Sequence, residues 1–212
     1  MAGLTLTKGS NLSLTKTDPG LNKVLVGLGW DPRTTTGDAF DLDASALLLG
    51  ADGKVRSSAD FIFYNQPAAA DGSVVHKGDN RSGEGDGDDE VVAVELSAVG
   101  ADVERIVFVV SIDQADTRRQ NFGQVRSAYC RVVNQESDAE VVRYDLSEDA
   151  APETCMIFSE LYRHNGEWKF KAVGQGYATG LAGIAADFGV QLGSEPETTE
   201  REKRNEHATH PA

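Results

Sequence analysis

Apolar and polar residues alternate along most of the chain from Leu4 to about Phe188, in short runs separated by Gly, Asp and Asn. A period of two is the mark of strands with one buried face. Leu4 and Leu6 alternate with Thr5 and Thr7, and Leu12 and Leu14 with Ser13 and Thr15. Lys8-Gly9-Ser10-Asn11 lies between them, so an opening hairpin is expected. Val24 to Leu28 is apolar almost throughout and reads as a strand covered on both faces. Further strands are predicted over 41–49, 61–64, 91–96, 106–112, 125–133, 140–144, 156–164 and 167–173, about ten in all. Asn165-Gly166 joins the last two and predicts a tight hairpin turn, because both residues tolerate positive φ. Leu181, Ile184, Ala185 and Phe188 stand at helical spacing and predict one short helix, stopped by Gly189. Many strands, short connections and a single late helix predict a mainly all-β fold, a two-sheet antiparallel β-sandwich. No repeat at a solenoid or propeller period is present.

The 212 residues suit one domain, and the formal charge of −14 narrows its partners. Nucleic acid is disfavoured, since phosphate binding wants a basic face. An anionic membrane surface is disfavoured too, unless cations bridge the two. No apolar run is long enough to span a bilayer, and the first residues carry no secretory or myristoylation pattern, so a cytoplasmic location is expected. From Ser194 onward there is no large apolar residue, which divides the chain into a folded domain over 1–192 and a disordered polar tail or expression remnant over 193–212.

The most informative segment is 78–90, Gly-Asp-Asn-Arg-Ser-Gly-Glu-Gly-Asp-Gly-Asp-Asp-Glu, with six carboxylates, four glycines and one opposing charge, Arg81. Carboxylates this close repel unless a cation sits among them. The donor set of Asp79, Asn80, Glu84, Asp86, Asp88, Asp89 and Glu90 is all oxygen, which suits a hard divalent cation, and the glycines let the chain curl around one. The lack of His and Cys argues against zinc, copper or iron, and the irregular, crowded donors favour Ca²⁺ over Mg²⁺. The spacing is not that of an EF-hand: Asp79 and Glu90 fit the first and twelfth positions, but Arg81, Gly83 and Glu84 fail the third, fifth and sixth. A β-roll repeat needs stacked copies, and a phosphate loop needs a Lys-Ser/Thr ending; neither is present.

Asp31, Asp38, Asp41 and Asp43 form a second acidic cluster. Asp41 and Asp43 share one side of a strand, so Asp31, Asp41 and Asp43 are expected to meet the 79–90 segment at one rim and to hold one or two Ca²⁺ with it. Asp113 reads as an ordinary strand-end acid and a lesser candidate. Cys130 and Cys155 read as core residues in a reduced compartment, and His76 and His164 as surface residues. Arg118 to Gly123 reads as a capping loop, and Trp30 and Trp168 as core or rim anchors.

Several motifs together resemble one family. They are Leu25-Val-Gly-Leu-Gly-Trp-Asp31, Phe40-Asp-Leu-Asp-Ala-Ser-Ala46, Asp60-Phe-Ile-Phe-Tyr-Asn65, the 78–90 segment, Asn121-Phe-Gly-Gln-Val125, Arg143-Tyr-Asp-Leu146 and Gly174-Gln-Gly-Tyr177. With them the chain resembles, over about 1–190, the bacterial tellurium-resistance TerD/TerE/TerZ stress-protein family. The resemblance implies a Ca²⁺-binding β-sandwich, cytoplasmic or peripheral at the inner face of the membrane, with a part in resistance to tellurite, phage, colicins and other stress. It places the calcium ligands in Asp79–Glu90 and around Asp31–Asp43, and implies other proteins of a stress-resistance complex as partners. Direct chemistry on tellurite is not expected, because a chain of this charge repels an oxyanion and carries no Cys-x-x-Cys pair. The leading function is therefore a non-enzymatic, calcium-dependent interaction or scaffold module. The alternatives are a metal-dependent hydrolase built on the clustered carboxylates and a purely structural acidic stress protein.

Overall fold

In the computed structural model, residues 3–31, 37, 39–78, 87–146 and 152–190 are described. Among them twelve strands, numbered in chain order, build two six-stranded sheets. The first runs β1 (Leu4–Leu6), β10 (Ala139–Asp145), β9 (Arg126–Asn134), β3 (Lys23–Asp31), β7 (Glu90–Glu95), β6 (Val74–His76). The second runs β2 (Asn11–Ser13), β12 (Glu167–Tyr177), β11 (Cys155–His164), β8 (Arg105–Ile112), β4 (Leu42–Leu49), β5 (Phe61–Ile62). Neighbouring strands are antiparallel except β1 and β10.

The predicted sandwich and its alternation are present. Val24, Val26, Leu28 and Trp30 of β3 face Ile106, Phe108, Val110 and Ile112 of β8 within one core between the sheets. The apolar runs of the second sheet have a different cause. Leu47, Leu49, Val107, Val109 and Ile157 point outward, where Ile184 and Ala185 of helix α3 (Gly180–Asp187) cover them. A sheet buried on both faces has no polar side to alternate with. The predicted late helix is thus the lid of the outer layer. The Asn165-Gly166 turn is also as predicted, with φ of 53° and 77° and a register that sets His164 opposite Glu167.

Three readings need correction, and two short elements are additional to those expected. The opening hairpin does not form: β1 pairs with β10 and β2 with β12, in opposite sheets. The turn after Thr7, closed by the Ser10 amide on the Thr7 carbonyl, carries the chain around a sandwich corner. Leu14 begins a one-turn helix, α1 (Leu14–Thr17), capped by the Ser13 side chain, and so does not extend the strand. The run 61–64 is a strand only over Phe61–Ile62, and β6, three residues of an edge strand, was too short to show a period. A second one-turn helix, α2 (Ala115–Arg118), opens the predicted 118–123 capping loop.

Candidate functional site

The register assembles one end of the sandwich. Leu28 lies opposite Glu90, so β3 ends where β7 begins; Leu42 lies opposite Ile112, so β4 begins where β8 ends. The amide of Ala44 donates to Glu90 Oε2 at 3.4 Å across the two sheets. Asp31, Asp41, Asp43, Asp88, Asp89, Glu90 and Asp113 are therefore gathered at the same end. Asp79, Asn80, Glu84 and Asp86 lie outside the described residues, as do Asp38 and the 191–212 tail. The acidic segment leaves the described chain at Gly78 and rejoins it at Gly87, at this end.

The three consecutive acids on its returning arm turn in three directions. Asp88 lies on the outer face of the first sheet, where its Oδ1 accepts from Arg131 Nε at 2.8 Å. The Tyr129 hydroxyl stands 3.1 Å from the same oxygen and 2.9 Å from the Gly87 carbonyl. Asp89 turns back on the β3 terminus, accepting the Trp30 amide at 3.0 Å while its own amide donates to the Leu28 carbonyl. Glu90 points inward, 3.0 Å from His76 Nε2, with both side chains nearly inaccessible. Part of the repulsion expected of this segment is thus offset by Arg131, and Glu90 has His76 within hydrogen-bond reach. His76, read from the sequence as a surface residue, is buried.

The electrostatics follow. Burial pushes the Asp89 carboxyl above its ordinary range, the Trp30 amide pulls it back, and the charges of Asp88 and Glu90 push it up again. Burial and the Asp88 charge raise the Tyr129 hydroxyl to about 12, so it stays a neutral donor. Burial works against the Arg131 charge, but Asp88 and Glu140 hold it above its ordinary range.

The second cluster reaches the same end from other strands. Asp41 precedes β4, and its carbonyl accepts the Asp113 amide at 2.8 Å. Leu42 and Ala44 face the core, so alternation carries Asp43 to the outer side. Asp31 is exposed at the end of β3. The Asp113 carboxylate is bonded to Gln114 and stands 3.4 Å from Arg118. Among the described residues no three of His, Cys, Asp and Glu converge closely enough to hold an ion. The oxygen-only chemistry of Asp31, Asp41, Asp43 and Asp89 fits a hard cation, and 79–86 would have to complete a coordination sphere.

The residues that sequence reasoning missed lie on the outer face of the first sheet. Gly27 is registered with Arg131 and Gly29 with Tyr129. A Cβ on Gly27 would overlap the Asp88 carboxylate, and one on Gly29 the Tyr129 ring. The Gly-x-Gly of β3 and the Tyr-x-Arg of β9 were visible; their register was not.

Both thiols are buried, Cys130 in register with Leu28 and Cys155 with Ser111. Cys130 is in the core with Sγ 3.3 Å from Ser159 Oγ, and Cys155 lies under α3. Burial pushes each to about 12.

No helix among the described residues is long and apolar enough to cross a membrane. The TerD domain matches residues 1–188. The chain is 62% identical over 187 residues to the Tellurium resistance protein TerD of Alcaligenes sp, covering 88% of this chain and 97% of that one. It is 60% identical to the protein of the same name from Serratia marcescens, with the same coverage. It is also 57% identical over 191 residues to General stress protein 16U of Bacillus subtilis (strain 168), covering 90% of this chain and 99% of that one. A crystal structure of a homologue of telluride resistance protein (TerD) from Streptomyces coelicolor A3(2) shares the fold, with a TM-score of 0.64 at 23% identity over 78% of this chain and 96% of that one. The chain belongs to the TerD family of tellurium-resistance and stress proteins.

Proposed function

We propose that the protein is a calcium-binding, non-enzymatic interaction or scaffold module of the stress response. It would work in the cytoplasm with other proteins of a resistance complex and make calcium-dependent contact with the inner membrane surface. The observation that carries the reading is the meeting at one end of three acid-bearing chain segments. Asp31, Asp41–Asp43 and Asp89 come from strand ends there, as do Gly78 and Gly87, the described residues that bracket 79–86 in sequence with its three more carboxylates and an amide. Oxygen donors without sulfur or imidazole select a hard cation, and irregular donors favour calcium over magnesium. A bound divalent ion would lower the local negative charge and make the rim a surface that an anionic headgroup or an acidic protein can approach.

Thermal unfolding of the full chain in Ca²⁺, in Mg²⁺ and in a chelator tests the reading. At a thousandfold excess over Kd, binding to the native state alone adds about 4 kcal/mol, a rise in Tm on the order of 10 °C for a domain of this size. A large rise with Ca²⁺ and a small one with Mg²⁺ is expected. Equal curves in all three would overturn the calcium reading.

A further inference from the structure

We propose that Arg131 is a positioning residue for the cation site, and that it acts through Asp88, which is the tether of the acidic segment and not one of its ligands. The inference rests on the calcium reading above but concerns a part of the molecule outside the coordination sphere.

Three observations converge. The first is that Asp88 is already engaged: its Oδ1 takes the Arg131 Nε at 2.8 Å and stands 3.1 Å from the Tyr129 hydroxyl, with the carboxylate largely buried. Oδ1, held by a guanidinium and a phenol, is a poor donor for a metal, and Oδ2 is turned onto β3, where it is the atom nearest the position of the missing Gly27 side chain. The second is that the floor beneath is cut to receive it. Gly27 and Gly29 leave room on the outer face of β3 for the Asp88 carboxylate and the Tyr129 ring, which Cβ atoms there would fill. The third is that the anchor is itself held. Arg131 Nη1 donates to Glu140 at 3.2 Å, and the Arg143 guanidinium stacks on the Tyr129 ring at 3.7 Å. Asp88 precedes Asp89 directly, so its side chain on the sheet acts together with the Trp30 amide and the Leu28 carbonyl to set where the Asp89 carboxylate is presented. Residues that orient ligands without touching the ion commonly change metal affinity by about 10- to 100-fold when removed.

The test uses the full chain in four forms: unaltered, Arg131→Gln, Arg131→Lys and Asp88→Asn. Calcium titration calorimetry gives stoichiometry and Kd, and stopped-flow chelation gives the off-rate. Trypsin cleavage after Arg81, with and without Ca²⁺, reports how firmly the segment is held. Arg131→Gln is expected to raise Kd by about 10- to 100-fold, mostly through the off-rate, with stoichiometry unchanged and cleavage faster. Arg131→Lys, which keeps the charge and one donor, should recover part of the affinity, and Asp88→Asn should resemble Arg131→Gln. An Arg131→Gln chain that binds calcium as tightly as the unaltered one, or tighter because Asp88 is released to ligate, overturns the inference while the calcium reading stands. Loss of an ion from the stoichiometry in Asp88→Asn but not in Arg131→Gln makes Asp88 a ligand and overturns it as well. If the unaltered chain binds no calcium, the calcium reading fails, and this inference with it.

Discussion

His76 and Glu90 face one another at 3.0 Å inside the sandwich, from the two neighbouring strands that bracket the acidic segment. Neither side chain reaches solvent, and Glu90 also receives the Ala44 amide from the opposite sheet. The pair ties β6, β7 and β4 together directly beneath the rim. Breaking a buried pair by removing one partner strands the other in a medium that cannot solvate it. His76→Ala is expected to lower the unfolding free energy by about 3 kcal/mol, read from urea denaturation at neutral pH. A His76→Ala/Glu90→Ala double variant should cost less than the sum of the single changes. Additive costs would mean that the two residues are not coupled.

The sandwich was legible because its signals are local. Val24, Val26, Leu28 and Trp30 alternate on one strand, and Asn165-Gly166 announces its own turn. The acid-rich segments were equally plain. What lay hidden was pairing. Nothing near Leu4 shows that β1 joins β10, more than a hundred residues away, instead of β2. Nothing in the composition of 78–90 shows that Asp88 meets Arg131 or that Glu90 turns inward to His76. A histidine with no chemical motif around it reads as a surface residue until the strand register puts a buried carboxylate beside it.

The glycines of β3 give a second prediction. Gly27 is a close-approach glycine, because the Asp88 carboxylate occupies the place of its missing side chain. Gly27→Ala forces that carboxylate away from Arg131 and should cost about 1–3 kcal/mol, as overpacking of a fitted site does. In an Asp88→Ala background the three atoms nearest that methyl group are gone, and the same substitution should cost clearly less. Chemical denaturation of the four chains measures the coupling, and equal costs of Gly27→Ala in both backgrounds would show that Asp88 is not what excludes the methyl group.

The thiols predict an alkaline limb of stability. Burial raises both Cys130 and Cys155 from 9.0 to about 12. A group whose folded pKa lies above its unfolded value contributes its full stability below the unfolded value and loses it as pH climbs toward the folded one. Stability should therefore fall between pH 9 and about 12, by up to about 4 kcal/mol for each thiol. Tyr129 adds to the same limb from about pH 10 upward. Cys130→Ala should flatten that limb without altering its start. At pH 8 neither thiol should react with a disulfide reagent in the native chain, and both should react in guanidinium.

Asp43 and Asp113 allow the rim chemistry to be dissected, since both are acids at the ends of paired strands and the calcium reading gives them different roles. Asp113 has its carboxylate on Gln114 and near Arg118, a cation already in place. Asp43 lies on β4 opposite Ser111, on the side of the strand away from the core. Under the calcium reading Asp43 is a ligand and Asp113 is not. Losing one of a few carboxylates around Ca²⁺ weakens binding through both charge count and coordination number. Asp43→Asn is expected to weaken calcium at least tenfold, and Asp113→Asn to leave it within a factor of two to three, measured by titration calorimetry on the two full chains. Both substitutions keep side-chain volume, so a difference between them reports on the ion and not on packing. If Asp113→Asn proves the damaging change, the ion sits nearer α2 than β4, and the ligand set must be redrawn around the end of β8.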